Sequence, residues 1–159
     1  MDSRLIQPFI ESTKTILFEM TGIEITSVGD PIVDSSAMRS NGVSSAITFS
    51  GKLKGRFVID MPPEMAKVVV GNMMGEPVDN VRDRLFLSGI SEMNNIIAGD
   101  ANTTLNNAYS LSLRLAPPIV FTGTNVMVAS SNIECVTIEC VTAVGHLKLN
   151  VAFQGGIIE

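Results

Sequence analysis

One succession of elements runs through this chain twice, and it restricts the fold more than any single motif does. Near the start, Leu5, Ile6, Phe9, Ile10, Thr13, Ile16, Leu17 and Met20 follow the three- and four-residue spacing of a helix with one buried face. Pro31-Ile32-Val33 and a strand pair turning at Gly51-Lys52-Leu53-Lys54 come next. From Arg82 the order returns as a helical stretch, Pro118-Ile119-Val120, then strands turning at Gly145-His146-Leu147-Lys148. Two α-β-β halves, approximately 4–61 and 82–154, are therefore expected within a single domain spanning 1–159. Such halves bury their helices only by laying both on one shared sheet. The fold expected is α+β, an α/β sandwich of pseudo-symmetric halves with long helices packed on a largely antiparallel sheet.

Local signals fill in the elements. Gly22 stops the first helix, and a polar stretch broken at Asp30-Pro31 follows. Val43–Phe49 and Leu53–Met61 read as a hairpin turning at Ser50-Gly51-Lys52. Pro62-Pro63-Glu64 opens a second helix carrying Met65, Ala66, Val68, Val69, Met73 and Met74, which Gly75 ends. The third helix is predicted from Arg82 to Leu105, with tail strands at 119–122, 126–129, 133–144 and 146–153. Ile-Glu-Cys-Val-Thr occurs twice in tandem, at 133–137 and 138–142. Five is odd, so a regular strand turns the second copy to the other face; the repeat is a coincidence or marks a bulge.

Composition excludes several classes of function. Hydrophobic residues make up 45% of the 159 and charged ones only 17%, which rules out a disordered chain. With 11 Lys+Arg against 16 Asp+Glu, there is no basic field for nucleic acid. The apolar surplus calls for a large sheet interior, an oligomer interface, or both. No apolar run reaches the roughly 18–20 residues that span a bilayer, and no signal peptide is expected. Cys135 and Cys140 fall on opposite faces of a strand, and His146 is the sole histidine. A bound metal is therefore not expected, and a reducing, cytoplasmic setting is. Gly51-x3-Gly55 is a turn and a strand residue, not a phosphate cradle.

The third helix holds the residues with chemical potential. At about 100° per residue, Phe86, Ile90, Met93, Ile97 and Ala101 form one stripe. Ser88, Glu92, Asn95, Gly99 and Asn102 form another, directly opposite. A merely solvated face would favour Lys, Glu, Gln and Ala, whereas Asn is a poor helix former and an exposed mid-helix Gly costs about 1 kcal/mol. Gly99 beside Glu92 and Asn95 leaves a low spot where another backbone can approach, so a docking surface is expected.

Ser88-x3-Glu92-x2-Asn95-x22-Pro118 resembles the signature of the CheC/CheX/FliY chemotaxis phosphatases, [Asp/Ser]-x3-Glu-x2-Asn-x22-Pro. The likeness in element order spans almost the whole chain, and one signature copy in a short chain looks most like the CheX branch. On the first helix, Gln7, Glu11, Lys14 and Phe18 repeat the spacing, but Lys14 replaces the Asn and Phe18 the Gly; this is read as a degenerate copy. The resemblance implies a protein phosphatase whose substrate is a phosphorylated CheY-like response regulator. It implies that Asn95 orients the attacking water and Glu92 pairs with the regulator's Lys, as the catalytic residues. Ser88, Gly99 and Asn102 would be partner-binding, Ser88 as an auxiliary contact or simply a surface serine. No cofactor is bound by this chain in that reading, the Mg²⁺ being supplied by the regulator, and a homodimer is implied. The alternative is a non-catalytic module that binds the regulator, as flagellar-switch proteins of related fold do.

Overall fold

The computed structural model describes residues 1–34, 37–129, 133–154 and 158. Helix α1 is Ser3–Thr21. Its first free amide is satisfied by Asp2, whose carboxylate accepts from Arg4 N and, drawn by the Arg4 side chain, titrates down at about 2. Gly22 closes it with φ 73°. Strands β1 (Ile25–Val28) and β2 (Ile32–Asp34) follow, then the hairpin of β3 (Ala37–Ser50) and β4 (Lys54–Met61). Helix α2 is Pro63–Met74, with proline at its first position and Gly75 at its end. Helix α3 is Arg84–Tyr109, capped by Asp83. Strands β5 (Arg114–Leu115), β6 (Ile119–Ala129), β7 (Glu134–Thr142) and β8 (Gly145–Phe153) complete the chain.

All eight strands join one antiparallel sheet. The hairpins β3–β4 and β7–β8 meet at its centre through β4 and β8. Each half sends its other strands to the hairpin of the opposite half: β1 and β2 pair with β7, while β5 and β6 pair with β3. Pro31 and Pro118 each precede one of these exchanged strands, and Gly51 and Gly145 lie at the two hairpin turns. The three helices lie on this sheet as an α+β sandwich of pseudo-symmetric α-β-β halves.

The core lies between helices and sheet. Phe9 of α1 is fully buried, with ring centroids 5.7 Å from Phe49, 4.8 Å from Phe57 and 6.3 Å from Phe153. One ring thus ties α1 to β3, β4 and β8, at about 0.5–1.5 kcal/mol per aromatic pair beyond area burial. From α3, Phe86, Ile90, Met93, Ile97, Ala101 and Leu105 are all buried. The helices α1 and α3 run antiparallel: Ser12 donates to Asp100 at 2.8 Å, and the Arg4 guanidinium lies 5.7 Å from the Tyr109 ring centre.

Several elements differ from expectation. The segment read as polar loop after Gly22 holds β1 and β2. β6 runs unbroken through 119–129, because Gly123 (φ 140°) and Asn125 (φ 64°) absorb an irregularity inside it. α3 runs a full turn past Leu105. Across the tandem Ile-Glu-Cys-Val-Thr the β7–β8 register stays regular from 134 to 142, so no bulge separates the copies. Cys135 and Cys140 face opposite ways and both are buried; burial pushes the Cys140 thiol up to about 11. On the sheet face away from the helices, buried Asp60 accepts from Asn41 N and the Ser44 hydroxyl, and burial raises its pKa. Among the described residues, no helix is long and apolar enough to cross a membrane.

Candidate functional site

The middle of α3 is tied directly to the sheet. Two asparagines stand side by side there and do different work. Asn94 is fully buried and donates to the Ser45 carbonyl at 3.0 Å and the Ser45 hydroxyl at 2.9 Å, pinning α3 to β3. Asn95, the next residue, points outward and is exposed. The anchor therefore fixes the rotation of the helix about its axis where Asn95 projects. Asn94 is absent from the residues singled out by sequence. Its signal is its position: it falls within the arc bounded by Ile90, Met93, Ile97 and Ala98, where a polar side chain must find a partner or destabilise the core.

Glu92 and Ser88 share the exposed face with Asn95, and Gly99 lies half-buried one turn further on. Among the described residues, neither the Glu92 carboxylate nor the Asn95 amide has a hydrogen bond or ion pair within the chain. The corresponding row on α1 is different. There Gln7 donates to Glu11 at 2.9 Å, and Lys14 lies 3.7 Å from the same carboxylate. The α1 row is self-satisfied, and the α3 row presents its polar groups to whatever arrives. A helix-borne amide with both donor and acceptor capacity can position a water, and a free carboxylate four-fifths of a turn away can receive a cation.

A Cβ built on Gly99 would stand 3.7 Å from Leu115 Cδ1, an ordinary contact. The fold thus leaves room for a methyl group, and packing within the chain does not require the glycine.

The expected placement of Asn102 on this surface is wrong. Asn102 is only 3% exposed, and neither end of its amide has a partner. The cause is the segment leaving α3. Asn106 holds Leu113 by two hydrogen bonds, 3.1 and 2.7 Å, and Leu115 reaches Gly99. The returning chain therefore runs along this flank of the helix, over the position between Gly99 and Asn106. Its burial removes Asn102 from the exposed face.

Pro118 stands at the start of β6 and forms the far wall of a hollow of about 610 Å³. Ser88, Ser91 and Glu92 line it from α3, and Arg82 and Arg84 line it as well. The glutamate end of the row and the distant proline thus face one space. A hollow of about 670 Å³ also lies against Thr48, Arg56 and Arg114 and shares no residue with the row. Among the described residues, no three His, Cys, Asp or Glu side chains gather as a metal-holding group.

Residues 43–141 match the family model described as Chemotaxis phosphatase CheX. A curated relative, the CheY-P phosphatase CheX of Thermotoga maritima, is 28% identical over 130 residues, covering 82% of this chain and 83% of that protein. Among solved structures, a CheC-like superfamily protein from Shewanella superposes with TM-score 0.88 at 24% identity, covering 98% of this chain and 100% of its own. The CheX–CheY–BeF3–Mg²⁺ complex from Borrelia burgdorferi superposes with TM-score 0.81 at 26% identity, covering 94% and 97%.

Proposed function

Because the chain belongs to the CheX family of chemotaxis phosphatases, we propose that it hydrolyses the aspartyl phosphate of a CheY-like response regulator. The observation that carries the reading is the pair of exposed, internally unpartnered side chains, Glu92 and Asn95, on a helix locked to the sheet by Asn94. The relative named as a CheY-P phosphatase and the neighbour found in complex with CheY support it.

The chemistry asks little of the helper protein. Phosphoryl transfer to water needs the nucleophile in line with the leaving carboxylate, and charge on the transferring group is balanced by the regulator's own Mg²⁺ and Lys. What remains is orientation, which by itself lowers a barrier by several kcal/mol. Asn95 enters the regulator's site and holds the water through its amide. A carboxylate there would be repelled by the phosphoryl oxygens. Glu92 pairs with the regulator's Lys and fixes the register of the two proteins. Pro118 is architectural and starts β6.

The chain acts as a homodimer in this reading. Exposed Ile32 and Val33 on β2, and Ile119 and Met127 on β6, are the apolar edge positions available for pairing with a second copy. Light scattering reads the mass directly, and a monomer at micromolar concentration contradicts it.

Adding the purified chain to a phosphorylated regulator should shorten the lifetime of its aspartyl phosphate. Binding without any change in that lifetime would instead assign the chain to the non-catalytic alternative.

A further inference from the structure

The segment leading into α3 separates its charges by side. Arg82 and Arg84 line the hollow that also holds Ser88 and Glu92. Asp79 and Asp83 line a different hollow, of about 240 Å³, together with Met74 and Phe86. Asp83 is further occupied as the cap of α3, accepting from Leu85 N at 2.8 Å. Both arginines are exposed, and among the described residues neither forms an ion pair. In an acidic chain with 11 Lys+Arg against 16 Asp+Glu, two unpaired cations beside the row are a local reversal of sign.

That reversal has a counterpart in the substrate. An aspartyl phosphate and the carboxylates that hold its Mg²⁺ put negative charge at the rim of such a site. Glu92 alone, approaching such a rim, would be repelled until it found its lysine. The hollow shares Ser88 and Glu92 with the row, and Arg82 and Arg84 also line it.

We infer that the hollow between α3 and β6, lined in part by Arg82 and Arg84, receives acidic side chains flanking the regulator's phosphorylation site. Association is steered by this pair, and the row is brought in with Glu92 toward the lysine and Asn95 toward the phosphoryl group. The arginines touch no reacting atom; they are positioning residues. The inference rests on the phosphatase reading for its choice of partner, and its test separates the two.

The test is the double variant Arg82→Gln/Arg84→Gln, measured in two ways against wild type. In the first, the decay of phosphorylated regulator is followed over a range of regulator concentrations and salt. The variant should raise the half-saturating concentration roughly three- to tenfold at low salt, the size of effect typical of rim charges, while the maximal rate holds. Raising the salt should weaken the wild type and bring the two together. In the second, binding to the beryllofluoride-loaded regulator with Mg²⁺ is measured directly, and the same loss should appear. The lysine double variant, which keeps the charge, should restore both. Equal half-saturation and equal salt dependence in variant and wild type would overturn the inference. A wild type that binds the loaded regulator through these arginines without speeding decay would refute the catalytic reading and leave the docking site standing. A wild type that does not bind at all overturns both. Unchanged thermal melting is expected, since both side chains are exposed, and it separates docking from a structural role.

Discussion

Gly99→Ala separates stability from activity more cleanly than any other substitution in α3. Within the chain the change is favourable. Alanine exceeds glycine in a helix interior by about 0.5–1 kcal/mol. The added methyl carbon would lie 3.7 Å from Leu115 Cδ1, so nothing must shift. For a chain of this size, 1 kcal/mol corresponds to a rise in Tm of about 2–4 °C. In the proposed complex the same methyl group would obstruct a partner backbone approaching one turn beyond Asn95. A misplacement of about 1 Å at a reacting centre costs on the order of a hundredfold. The expected outcome is a protein that melts a few degrees higher and dephosphorylates its regulator at least about tenfold less efficiently. Calorimetry and the decay of phosphorylated regulator measure the two sides. A variant that is more stable and fully active would refute the close-approach role of Gly99. A less stable variant would contradict the geometry of this part of α3.

Glu92→Ala should mainly raise the concentration needed for half-maximal dephosphorylation, with the defect partly recovered by excess protein; no recovery would argue against docking. Asn94→Ala removes two hydrogen bonds to Ser45 and should destabilise the fold by about 2 kcal/mol, with a denaturant midpoint shift as the readout. It should also lower the maximal rate, because Asn95 loses its anchor; full activity at low temperature would show that the anchor is not needed. Both thiols should resist a disulfide reagent at pH 8 in the native protein and react in denaturant, since both are buried and Cys140 titrates near 11. Rapid native reaction would contradict that burial.

The parts of the fold legible in the sequence are those set by local chemistry. Asp2 and Gly22 bound α1, and Pro63 and Gly75 bound α2. The hairpins announce themselves through alternating apolar residues and glycine turns. β1 and β2 were invisible because they are four and three residues long and carry no clear alternation. Their pairing is with β7, more than a hundred residues away in sequence, so no local pattern encodes it. The exposed Glu92–Asn95 pair followed from helical period alone. Asn102 did not, because a helical projection knows only two sides, core and solvent. It contains nothing about the segment that Asn106 draws back along the flank. Asn94 escaped for the converse reason: beside Asn95 it looks like more polar surface, and only the sheet beneath, with Ser45 waiting, gives it a structural task.

The central claim is that Asn95 does the chemistry and the rest of α3 places it. Single-turnover decay of a phosphorylated regulator saturated with Asn95→Ala, beside wild type, tests this directly. The account predicts unaltered melting, retained binding to the beryllofluoride-loaded regulator, and a decay rate reduced to that of the regulator alone. Acceleration equal to wild type at saturation would contradict it.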